Sequence, residues 1–175
     1  DRTKSRGLGD VYKRQVTRRM RAGIADLPDG RYEFTDVLDD DGMGTTNIPI
    51  CVKIDIQSDE IWFNFEGSAS QVAGNMNNSF AGLQASVLFA LKVLIDPDGP
   101  TNHGMLGPVH IDAPEASVVN ASFPAATAAR AQTCQRIIDV ILGALAPAVP
   151  ERVIAACNGA NGVATFSGEG PDGQY

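Results

Sequence analysis

Between residues 67 and 78 the chain reads Gly-Ser-Ala-Ser-Gln-Val-Ala-Gly-Asn-Met-Asn-Asn, a dense run of hydroxyl and carboxamide side chains. Ser68, Gln71, Asn75 and Asn77 stand out in it. Carboxamides donate and accept hydrogen bonds without carrying charge. A cluster of them suits a neutral polar ligand such as a lactam, an imide or a carboxamide, held by paired hydrogen bonds. The helix expected next would also present free backbone N–H groups to an anion. A capped loop with glycine turns accounts for the same composition equally well on spacing alone. A second polar loop, Asn102-His103-Gly104, follows a proline-rich stop. Loops carry function more often than regular elements do, which makes His103 a catalytic candidate.

Other chemistries find less support. Asp39, Asp40 and Asp41 form an acidic run, but the alternating ligands and distal glutamate of a calcium loop are absent, and a solvated turn is the better reading. His103 and His110 are the two histidines, so a metal site built within this segment would need carboxylates to complete it, and no metal ligands are assigned. His110 sits in an alternating stretch and reads as structural. No phosphate-binding loop, dinucleotide fingerprint or nucleophile elbow is present.

The elements that must position these residues follow from periodicity. Residues 48–56 and 61–65 alternate apolar and polar side chains on either side of a short polar break, which predicts an antiparallel hairpin. Residues 32–38 alternate as a further strand, with Tyr32, Phe34 and Asp36 on one face. Residues 79–95 switch period: Phe80, Leu83, Val87, Leu91 and Leu94 recur at three and four, which predicts a helix with Ser79 as its N-cap and Asp96-Pro97 as its stop. A shorter helix is expected over 16–26 and another over 133–145. Short strands are expected at 109–113, 117–120 and 153–157. The order predicts an α+β fold, a mixed and mainly antiparallel sheet with helices packed on one face.

The net charge of −7 makes nucleic acid an unfavourable partner. No apolar run reaches the roughly 18 residues of a membrane span. Three widely spaced cysteines without a Cys-x-x-Cys pair argue against a disulfide framework and suit a reducing, cytoplasmic setting. The first fifteen residues carry a net charge of +3 and little apolar periodicity. They read as an adapter-derived or disordered segment outside the fold, leaving 16–175 as a partial domain. Residues 161–166 read as the entry to another strand.

Several blocks together resemble the hydantoinase B/5-oxoprolinase family. They are Leu27-Pro28-Asp29-Gly30; Asn64, Phe65, Gly67, Ser68, Gln71, Gly74 and Asn77 on one frame; Asp96-Pro97 with Pro100, Asn102 and Gly104; Ala113-Pro114 with Ser117 and Asn120; and Thr133-Cys134-Gln135-Arg136. Each block is weak alone, and their order is the signal. Asn64, Ser68 and Ala116 depart from the family's usual Asp, Thr and Gly. The resemblance implies part of a B-type subunit of an ATP-dependent hydrolase that opens cyclic amides such as hydantoins or 5-oxoproline. It further implies that an A-type partner subunit binds the ATP and that a divalent metal can sit elsewhere in the complete subunit. It casts Gln71, Asn75, Asn77 and Asn102 as substrate-orienting groups and Arg136 as a charge-stabilising one, with Asp139 one turn on to hold it. An acetone-carboxylase-like subunit and a non-catalytic assembly module are the competing readings.

Overall fold

The structure, a computed structural model, describes residues 2–159 and 168, with side chains from residue 9 onward. Its centre is the expected hairpin. Strands β2 (Thr46–Gln57) and β3 (Glu60–Asn64) pair antiparallel, with Gln57 opposite Glu60 across a two-residue turn in which Ser58 takes a φ of 58°. Strand β1 (Gly30–Asp40) pairs with the other side of β2, also antiparallel. Strand β4 (Val109–Asp112) pairs parallel to β3 and completes the order β1-β2-β3-β4. A parallel pair needs a long crossover. Here it is helix α2 (Phe80–Ile95) and a short 3-10 helix, His103–Leu106.

Alternation decides which face is covered. Ile48, Ile50, Val52, Ile54 and Ile56 are all buried, whereas Cys51, Lys53, Asp55 and Gln57 between them are not. Helices α1 (Arg2–Ala25) and α3 (Arg130–Leu145) pack against the sheet, and α2 packs against α3. The mixed sheet with helices on one face is as expected. Ser79 caps α2, its hydroxyl accepting from the Gly82 N–H at 3.3 Å.

Four local expectations need correction. The first fifteen residues do not stay out of regular structure, because α1 runs unbroken from Arg2. Val16, Met20 and Ile24 anchor its second half in the core. Extending an anchored helix adds a hydrogen bond per residue at little cost, which outweighs the local penalty of its glycines. Arg19 fixes α1 to the end of α2, its Nε and Nη2 each donating to an oxygen of the Asp96 carboxylate at 2.6 Å. Residues 153–157 are not a strand: they lie beside α2 and α3, and no described strand pairs with them. Residues 117–120 make only isolated bridges, Ser117 to Ser70 and to Asn120. Asp39 and Asp40 belong to β1, and the turn begins at Asp41. The strand expected at 161–166 lies outside the described residues.

Ala116 stands where the family pattern has glycine, and its φ is 55°, a left-handed conformation that a Cβ disfavours. Ala116→Gly is therefore expected to raise stability by about 0.5–1 kcal/mol in chemical denaturation.

Candidate functional site

The amide-rich loop, residues 67–78, leaves the end of β3 and enters α2. Most of its polar groups are engaged within the chain. The Ser68 hydroxyl clasps the backbone of Cys51, accepting from its N–H at 3.0 Å and donating to its carbonyl at 3.2 Å. The Gln71 side-chain oxygen accepts from the Ser122 N–H at 2.9 Å. Asn77 is fully buried: its oxygen accepts from the Val72 N–H at 2.8 Å, and its nitrogen reaches the carbonyls of Val72, Gly74 and Ala126 at 2.9–3.0 Å. Thr133 of α3 donates to the Met76 carbonyl. These bonds strap the loop to β2, to the segment before α3 and to α3 itself.

Asp41 performs the same task from the other side. Its carboxylate accepts from the N–H groups of Met43 at 2.8 Å, Thr45 at 2.9 Å and Gly74 at 3.1 Å. Gly74 has to be glycine, because a Cβ there would sit 2.0 Å from the Asp41 carbonyl oxygen. Burial opposes ionisation of Asp41, but the three backbone donors and the Thr45 hydroxyl outweigh it and hold its pKa at about 2, below the usual 3.8. A lowered folded-state pKa means that the stabilisation is complete above the ordinary carboxylate range and is lost as pH falls through about 2. Thermal unfolding followed from pH 5 to pH 2 is expected to show this loss (roughly the span over which such a group titrates). Asp41→Asn should lower Tm at neutral pH and flatten that acid limb.

Asn75 is the exception in the loop. It is exposed, and only its backbone carbonyl is tied down, by the Ala129 N–H at 2.9 Å. Its side chain lines a polar cleft of about 440 Å³ together with the Asp39, Asp40 and Asp41 corner, Gln132 and Arg136. Arg136 enters this cleft from α3 with 16% of its side chain exposed. Its Nη1 donates to Asp36 Oδ2 at 2.6 Å, and Asp139 lies 3.9 Å away. Asp36 is thus the closer holder of Arg136, a role the sequence reading gave to Asp139. A signal was present: Asp36 alternates with Phe34 and Leu38 on the face of β1 that turns toward α3, an unusual place for a carboxylate without a cationic partner.

Asn102 and His103 are not brought to this cleft. They sit by the start of β4, whereas the 67–78 loop leaves the finish of the parallel strand β3. Asn102 caps the 3-10 helix, its side-chain oxygen accepting from the Gly104 N–H at 2.8 Å, and His103 is exposed. Thr17 of α1 secures the same turn by donating to the Gly104 carbonyl at 2.7 Å. His110 lies on the open face of the sheet, stacked on Trp62 with ring centroids 4.9 Å apart and 2.9 Å from Glu60.

The cleft does not fit a nucleotide. Its lining carries three aspartates against one arginine, and that arginine is already paired. Among the described residues no group of three or more His, Cys, Asp or Glu side chains is placed to hold a metal ion. Among them, too, no helix is long and apolar enough to cross a membrane. All three cysteines are free thiols. What the cleft offers is a set of neutral amides, a guanidinium held by carboxylates, and an acidic rim. That set can orient a small polar molecule by hydrogen bonds and place a fixed positive charge near one of its oxygens.

Comparison with known proteins gives this geometry a context. An uncharacterised protein of Methanocaldococcus jannaschii is 40% identical over 124 residues, 70% of this chain and 22% of its own length. The caprolactamase subunit beta of Pseudomonas jessenii is 34% identical over 154 residues, 86% of this chain and 26% of its own. The crystal structure of the ATP-dependent caprolactamase from that organism superposes with a TM-score of 0.67 at 30% identity, over 80% of this chain and 24% of that one. A nucleotide-free acetone carboxylase shares the fold, with a TM-score of 0.68 at 14% identity over 80% of this chain and 21% of that one. The chain thus spans about a quarter of the length of these curated relatives. The Hydantoinase B/oxoprolinase family model matches residues 6–175, and the chain belongs to that family.

Proposed function

We propose that this chain is part of the B-type subunit of an ATP-dependent hydrolase that opens cyclic amides, hydantoins or 5-oxoproline among them. The single observation that supports this reading best is the family match over 6–175, joined by the likeness to a caprolactamase described as ATP-dependent. The ATP is bound by an A-type partner subunit, in keeping with an acidic cleft here that does not suit phosphates. The name "subunit beta" carried by the Pseudomonas jessenii relative points the same way. The enzyme is cytoplasmic, as free thiols favour.

In this reading Asn75 and Arg136 are the residues that meet the substrate. An unactivated amide is a poor electrophile, and phosphorylation of its oxygen by the partner's ATP would make its carbon a target for water. Arg136 then faces the oxygen on which charge develops. Ser68, Gln71 and Asn77 serve the site as its scaffold, and Asn102 and His103 act outside it. Asn75→Ala in the assembled enzyme is expected to raise KM about tenfold, with stability changed by less than about 0.5 kcal/mol.

The test is ATP hydrolysis by the assembled A and B subunits against caprolactam, hydantoin, N-methylhydantoin, 5-oxoproline and acetone. Ring-dependent ATP turnover supports the proposal and identifies the substrate. Turnover with acetone and bicarbonate alone moves the chain to a carboxylase. A second reading, a non-catalytic assembly module, draws on the internal engagement of Ser68, Gln71 and Asn77. Unchanged turnover in Asn75 and Arg136 variants would favour it.

A further inference from the structure

Helix α2 is apolar around most of its circumference, with Gln84, Ser86 and Lys92 as its polar side chains. Of its sixteen residues only Lys92 is charged, and that ammonium is bound to the Gly99 carbonyl. Leu83, Val87, Leu91 and Leu94 face the core. The opposite face, Ala81, Ala85, Phe89 and Val93 at intervals of four, is also apolar and is exposed, Phe89 at 55% and Val93 at 47%. A surface helix of a finished domain places polar residues there, whereas a helix apolar all round belongs inside a larger body. Beside this face runs a groove of about 500 Å³ in which Ile138 and Leu142 of α3 and the 79%-exposed Ile154 continue the apolar surface.

The charges around the groove define what it takes. Its two ionised side chains are already engaged within the chain: Arg152 donates to the Leu94 carbonyl at 3.3 Å, and Asp139 faces Arg136 and accepts from the Cys157 thiol at 3.4 Å. Arg152 keeps its charge, but the groove surface is otherwise mainly apolar, so burial outweighs ion pairing in what it can take. The surface fits an uncharged aliphatic or aromatic segment in permanent contact, since permanent interfaces resemble a divided core and exchangeable ones are more polar. The relatives carry about three quarters of their length beyond the stretch this chain spans, enough to supply such a segment from the same polypeptide.

We propose that the outer face of α2 and the α2–α3 groove form an internal interface, seated by an uncharged apolar segment of the complete B-type polypeptide and not by the A-type subunit or a second copy. The idea rests on the B-type reading of the chain, but its test needs no activity. Phe89→Asp combined with Val93→Asp is made both in this 175-residue chain and in the complete B-type polypeptide without its partner.

In the 175-residue chain the far-UV circular dichroism is expected to stay unchanged, with binding of an apolar dye reduced about threefold or more as exposed apolar area is removed. In the complete polypeptide the same change should lower Tm by about 5–10 °C, because two carboxylates are then buried without partners. Phe89→Ser serves as the milder variant if the double change prevents expression, with a smaller shift in the same direction. Three outcomes would overturn the proposal. They are an unchanged Tm with the face still binding dye in the complete polypeptide, an unchanged Tm with loss of A-type assembly, and a Tm shift that disappears below the concentration at which copies associate. Substrate-independent ATPase in the separate assay of the assembled A and B subunits, with the Tm shift intact here, would instead sink the hydrolase reading and leave the interface standing.

Discussion

Asn77→Ala is expected to destabilise the fold by about 2–4 kcal/mol in chemical denaturation, through loss of a buried polar hub. The side chain has no exposed surface, and its amide serves one N–H and three carbonyls of the segments it joins. Removing it strands the buried Gly74 carbonyl and leaves the part-buried Val72 groups and Ala126 carbonyl without the bonds that tie the segments together, and a stranded buried group costs more than a typical bond contributes. Loss of activity in this variant should therefore follow loss of folded protein. A stable Asn77→Ala protein with reduced turnover would return the residue to the substrate and undo its assignment as scaffold.

Arg136→Met should give the second large effect, a fall in kcat of about 10²–10³-fold in the assembled enzyme, the range seen when one fixed transition-state donor is removed. The guanidinium also has a structural share, because Asp36 and Asp139 would be left facing each other without it. The two roles separate in the Asp36→Asn variant. If Asp36 only staples β1 to α3, stability falls and kcat per folded molecule holds. If it aims Arg136, kcat falls while KM is largely preserved. Arg136→Lys keeps the charge but not the planar fork, so a partial recovery would show that charge matters more than geometry.

The contrast between Asn75 and Asn77 shows where a sequence stops informing. Two residues apart in one amide-rich loop, they offer the same chemistry on paper. In the fold one is exposed at a cleft and the other is sealed beneath it. The family pattern contained Asn77, and its geometry shows how a residue can be part of a pattern for folding. Asp41 and Asp36 were legible only as a turn aspartate and a misplaced strand aspartate. Their partners lie 33 positions away at Gly74 and 100 away at Arg136, and no local spacing reveals them.

What the chain determined by itself was local and periodic. Alternation of period two fixed β2 and β3 and the face they bury, and a shift to spacings of three and four fixed α2 together with its serine cap. Those signals survive because each is written in consecutive side chains whose burial follows from backbone geometry alone. The tertiary structure decided the rest. It extended α1 to Arg2 from an anchor in the core, and it laid residues 153–157 against α2 and α3 with no described strand to pair with. It sent Asn102 and His103 to the other end of β4 and gathered Asn75, Arg136 and three aspartates at one cleft. Pairing, burial and charge balance are properties of segments that meet in space, and only the folded chain brings those segments together.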